Sequence, residues 1–143
     1  MILKILKGVW FFSLMALFVV FFYIYAGLPE EIAFSESAGS LSISRNGFFY
    51  SSILLFAILN MLVFIVTRLL SNGDQAFSSW FYGLIVTFNF FFISSLGFIH
   101  VFNGSDRYDF SNMGPAMYGS LILLCGWMIS WPVYLFYRKI LSR

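Results

Sequence analysis

Residues 77–102 read FSSWFYGLIVTFNFFFISSLGFIHVF, 26 positions that hold no Asp, Glu, Lys or Arg. An α-helix rises about 1.5 Å per residue and the hydrocarbon layer of a bilayer is about 30 Å thick, so this stretch is long enough to cross. At its centre stands Phe88-Asn89-Phe90-Phe91-Phe92-Ile93. A membrane β-strand alternates lipid-facing and lumen-facing residues over about ten positions. Four Phe and an Ile in six positions break that alternation, and Ile53-Leu54-Leu55-Phe56-Ala57-Ile58-Leu59 breaks it again. Both runs therefore predict helices.

Working outward, three more stretches qualify as spans: 9–28, 48–70 and 116–137. Helix-breaking chemistry separates them. Pro29 opens an acidic, Ser-rich stretch, Ser71-Asn72-Gly73-Asp74 joins the second and third spans, and Asn103-Gly104-Ser105-Asp106 leads to Gly114-Pro115 before the fourth. Composition agrees. The 143 residues are 61% apolar, 22% aromatic and 10% charged, whereas a soluble domain carries about 25% charged residues. The expected fold is a single all-α integral membrane domain, four transmembrane helices in an up-down bundle, in contact with the lipid bilayer.

The bases fix the expected orientation, because cytoplasmic ends collect Lys and Arg. Lys4, Lys7, Arg68, Arg138, Lys139 and Arg143 fall on one side and only Arg45 and Arg107 on the other. Both termini and the 71–76 loop are thus expected in the cytoplasm, with loops 29–47 and 103–115 outside. The acids sort the opposite way: Glu30, Glu31, Glu36, Asp106 and Asp109 lie outside and Asp74 inside. The first span is read as an anchor, since Tyr25-Ala26-Gly27 puts a bulky ring where a signal peptidase needs a small side chain.

Helices in lipid associate through small residues and polar contacts. Ala116, Gly119, Ser120, Gly126 and Ser130 form a stripe on the fourth helix, interrupted by Trp127, and Gly83, Thr87, Ser94 and Gly97 form a line on the third. These faces are expected to pack against each other or against a partner chain. Asn60 and Thr67 share a face of the second helix, and an amide in hydrocarbon needs a partner. Asn89, near the middle of the third helix, is the expected partner of Asn60. Trp10, Trp80, Tyr82, Trp131 and Tyr134 read as an inner aromatic belt, with Tyr23, Tyr25, Tyr50 and Tyr118 as an outer one. Pro132 removes a backbone donor near the inner end of the fourth helix, where a bend is expected.

Reactive groups are scarce: one His, one Cys and six carboxylates. No ionisable residue lies in the middle of a span, which argues against proton-coupled export. A lone Cys125 argues against quinone-linked disulfide chemistry, and a single His against a self-contained haem bundle. Neither catalysis nor a cofactor or metal is expected, and no basic domain supports nucleic-acid binding. His100 is the one candidate ligand, for a haem shared with another subunit or a quinone headgroup. The exterior Glu30, Glu31, Glu36, Arg45, Asp106, Arg107 and Asp109 form a candidate docking surface, and Asn103-Gly104-Ser105 matches a glycosylation sequon.

Leu28-Pro29-Glu30-Glu31-Ile32-Ala33, then Gly39, then Ser44-Arg45-Asn46-Gly47-Phe48 at the start of a helix resembles the exterior loop of the small SdpI-like bacterial membrane proteins. The His-Phe pair of that family is replaced by Phe34-Ser35. The resemblance implies a bacterial inner (cytoplasmic) membrane protein of the immunity or signalling type. The expectation that heads the list is a non-enzymatic subunit that packs against a larger membrane complex. A stand-alone immunity or signalling protein and a redox subunit using His100 are the alternatives.

Overall fold

The computed structural model describes residues 1–34, 42–71, 73–104 and 114–141. Four helices dominate it: α1 (Ile2–Gly27), α2 (Arg45–Leu69), α3 (Gln75–Asn103) and α4 (Gly114–Leu141). Each is long and apolar enough to cross a membrane. Their starts follow from local chemistry. Ser44 caps α2 by accepting from the Gly47 N–H, and Asp74 caps α3 by accepting from Ala76 and Phe77 N–H groups that have no carbonyl one turn back. Pro115 occupies the first turn of α4, where its missing N–H costs nothing. Gly73 supplies the positive φ of 82° that folds the chain back between α2 and α3.

The helices extend beyond the expected spans, most of all α1, which begins seven residues before position 9. The added residues of α1 mix Ile and Leu with Lys4 and Lys7, and the helix continues through them because its backbone bonds are satisfied internally.

The bundle is organised around α3, and sequence neighbours are not the main packing partners. α3 packs most extensively against α1, then α4, then α2, while α1 and α2 meet only slightly and α4 meets no helix but α3. The expected up-down arrangement holds in direction, but α3 occupies its axis. One apolar core, with Leu17, Phe21, Ile24, Phe48, Phe56 and Leu96, fills the half nearer Leu28 and the start of α2. A second, around Val63, Tyr82 and Ile85, fills the half nearer the start of α1.

A small sheet interrupts the expected all-α architecture. β1 (Glu31–Ala33) pairs antiparallel with β2 (Ser42–Ser44), Ile32 opposite Ile43. Ile32 and Leu28 are buried in the first core, so this pair closes one end of the bundle. The Arg45 N–H donates to the Glu30 carbonyl at 2.8 Å, extending the clasp to the start of α2.

The two small-residue lines do not face each other. Gly119 and Gly126 have no heavy atom within 4 Å of where a Cβ would stand. Ala116 is exposed too, and Leu124 is the one buried residue of α4. The helix assignment runs through Pro132 to Leu141 without a break.

Candidate functional site

Between the two apolar cores lies a polar cluster drawn from three helices. Asn60 of α2 and Asn89 of α3 exchange a pair of amide hydrogen bonds, Asn60 Nδ2 to Asn89 Oδ1 at 3.1 Å and Asn89 Nδ2 to Asn60 Oδ1 at 3.2 Å. Two residues of α1 complete it. Trp10 Nε1 donates to Asn60 Oδ1 at 2.9 Å, and Asn89 Nδ2 donates its second hydrogen to Ser13 Oγ at 3.0 Å. Asn60 Nδ2 also donates to the Phe56 carbonyl, and the Ser13 hydroxyl to the Trp10 carbonyl. All four amide hydrogens thus have acceptors, and Asn89 has no exposed surface. A buried polar network fully satisfied in this way specifies one register between helices, whereas a half-satisfied one penalises it. The Ser13 hydroxyl is taken up by the Trp10 carbonyl and the Asn89 amide, so every polar side chain of the cluster serves to fasten the three helices.

Thr67, expected to share this task, donates instead to the Val63 carbonyl of its own helix. Thr87 does the same to Leu84, Ser94 to Phe90 and Ser120 to Met117. A hydroxyl can satisfy itself one turn back, which an amide with two donors cannot do fully.

Trp127, read as an interruption, is the knob that fastens α4. Its indole lies against Gly83, where a Cβ would stand only 2.2 Å from Cζ2. Trp127 Nε1 donates to the Trp80 carbonyl at 2.9 Å, and Trp80 Nε1 donates back to the Trp127 carbonyl at 3.0 Å and to Ser130 Oγ at 3.2 Å. Beside this clasp Trp131 meets Phe77 edge-on and lies tilted against Trp80. Trp10 and Trp80, assigned to a belt, are therefore also hydrogen-bonded parts of the helix contacts. Gly97 lies half-buried on α3.

At the sheet end, Asn103 acts as a strand surrogate. The Ala33 N–H donates to Asn103 Oδ1 at 2.8 Å and Asn103 Nδ2 donates to the Ala33 carbonyl at 3.0 Å, tying β1 to the end of α3. Nδ2 also donates to the Ile99 carbonyl. The sequon asparagine is thus committed to holding β1. Sequence reasoning missed this role, and the signal available was an amide on the last turn of a helix beside a loop.

Glu31, the first residue of β1, and Glu30 just before it are exposed. Arg45 turns back toward the Leu28 carbonyl and lies 5.7 Å from the Tyr25 ring centroid, a cation–π contact. Glu36, Asp106, Arg107 and Asp109 lie outside the described residues, so the candidate docking surface is seen only through Glu30, Glu31 and Arg45.

His100 lies half-buried on the last turns of α3 with its ring against Gly27, whose missing Cβ leaves 3.3 Å to Cε1. Its Nδ1 is buried without a hydrogen-bond partner among the described residues. No second imidazole exists to pair with it in a haem site, and among the described residues no three His, Cys, Asp or Glu side chains cluster. Cys125, the single cysteine of the sequence, is exposed on α4.

No protein-family model, curated protein or solved structure matches this chain.

Proposed function

We propose that this protein is an integral membrane protein, both termini cytoplasmic, that serves as a non-enzymatic subunit packing against a larger membrane complex. The observation that carries the reading is the uncovered face of α4. One residue of that helix is buried, and the face carrying Ala116, Gly119 and Gly126 has nothing against it within the described chain. Small residues give lipid little to hold but let another helix backbone approach closely. The partner is therefore another membrane protein, with lipid around the rest. The charge asymmetry supports the orientation, and the loop resemblance supports a bacterial inner membrane. Blue-native electrophoresis after mild detergent extraction tests the assignment: a band well above the 16.5 kDa chain, containing other polypeptides, is expected. Migration as a lone chain or small homo-oligomer overturns it.

A second reading, a stand-alone immunity or signalling protein, draws support from the Asn103 clasp, which fixes β1 with Glu31 exposed on it and Glu30 exposed just before it. In that case Glu30→Gln with Glu31→Gln abolishes protection or signalling while insertion persists. A third, a redox subunit, has the unpartnered Nδ1 of His100 in its favour. A purified chain without a Soret band, together with a silent His100→Ala phenotype, removes it.

A further inference from the structure

A cavity of about 390 Å³ opens between the first turns of α1, the last turn of α2 and the first two turns of α3. Two cations from different helices line it, Lys7 of α1 and Arg68 of α2, together with the hydroxyl-bearing Thr67, Ser78 and Tyr82. No carboxylate is among its lining residues. Asp74, the acid at this end of the bundle, is engaged elsewhere. Its Oδ1 caps α3 and its Oδ2 lies 4.0 Å from Arg138 Nη1. The Lys7 ammonium rests 5.6 Å from the centroid of the buried Tyr82 ring, a contact that holds the charge at the cavity wall without neutralising it.

Two like charges drawn to one cavity repel each other, and an anion between them reverses that cost. We propose that this cavity seats the phosphate of an anionic phospholipid headgroup. The guanidinium fork and the Ser78 and Tyr82 hydroxyls match phosphate oxygens, and a lysine supplies a second point charge. Leu3 and Phe64 add apolar wall, which suits the glycerol and first acyl carbons of a lipid and has no use for free phosphate. Basic cavities between helices at the cytoplasmic end of a bundle lie at the level of inner-leaflet headgroups. The inference rests on the membrane reading above and is independent of the subunit reading.

The test is lipid binding to the purified full chain in nanodiscs of phosphatidylcholine with or without phosphatidylglycerol, scored by native mass spectrometry of retained lipid. Preference for phosphatidylglycerol is expected to fall by about thirtyfold in Lys7→Gln/Arg68→Gln, at roughly one headgroup attraction for each of the two lost charges. It is expected to persist in the charge-conserving Lys7→Arg/Arg68→Lys. Lys4→Gln/Lys139→Gln, which removes equal charge from the same end outside the cavity, is expected to change it less than twofold. Equal losses in the cavity and control pairs, retention of full preference in Lys7→Gln/Arg68→Gln, or displacement of the lipid by millimolar inorganic phosphate each overturns the inference. A chain that fails to fractionate with membranes overturns the membrane reading itself.

Discussion

Asn89 places both of its amide hydrogens on other helices, one on Asn60 and one on Ser13. Interhelical hydrogen bonds in membranes are worth about 0.6 kcal/mol on average and up to about 2 kcal/mol in model peptides. Removing the whole side chain also leaves a void and strands a Ser13 lone pair. Asn89→Ala is therefore expected to destabilise the detergent-solubilised protein by about 2 kcal/mol, and Asn60→Ala, which also orphans the Trp10 N–H, by a similar amount. Because the two amides bond each other, the double variant is expected to lose less than the sum, by about 0.5 kcal/mol or more. Strict additivity in a thermal or denaturant titration counts against the direct pair. The Asn60 and Asn89 pairing is legible in the sequence because an amide surrounded by Phe, Leu and Ile has no other way to satisfy two donors. Trp10 and Ser13 are not. A tryptophan near a helix end fits an interfacial belt equally well, and a serine can satisfy itself on its own backbone, as Ser94 and Ser95 do.

Each helix declares itself through its run of apolar residues, but which faces meet depends on shape that no periodicity records. Glycine lines on two helices suggest that small surfaces approach each other. Gly83 instead accepts the largest side chain available, and the indoles of Trp80 and Trp127 lock the fit by donating to each other's backbone. Gly83→Ala is expected to destabilise the contact of α3 with α4 by about 1–3 kcal/mol, the usual range for overpacking. Trp127→Ala alone leaves a void there and costs about 3 kcal/mol or more. Together, Gly83→Ala and Trp127→Ala are expected to cost less than their sum, because the new methyl no longer meets a ring. Thermal unfolding of the three variants decides, and a sum that adds fully shows that the ring does not sit on Gly83. The β1 and β2 pair was illegible for a different reason. Strands of three residues are too short to display a two-residue period, and their pairing is stabilised from outside by Asn103 and by the burial of Ile32.

At the scale of the molecule, α1, α2 and α3 form one cooperative body and α4 is attached to its side. The buried cluster joins the first three helices only, both apolar cores draw their buried members from those helices and the segment carrying β1, and α4 meets only α3. Composition could announce four helices but not this division, because α4 is long and apolar enough to span like the other three, and its apolar residues do not say what covers them. Deleting residues 114–143 is therefore expected to leave the coupling between Asn60 and Asn89 within about 0.5 kcal/mol of its value in the full chain, the tolerance for sites that share no partner. If the subunit reading holds, the same deletion is expected to abolish the high-mass band on blue-native electrophoresis, since the face proposed to meet a partner goes with it. Loss of the coupling makes α4 part of the core, whereas survival of the band moves the partner contact to α1 or α2. Only the combination of intact coupling and lost assembly fits a three-helix body that carries a fourth helix for someone else to bind.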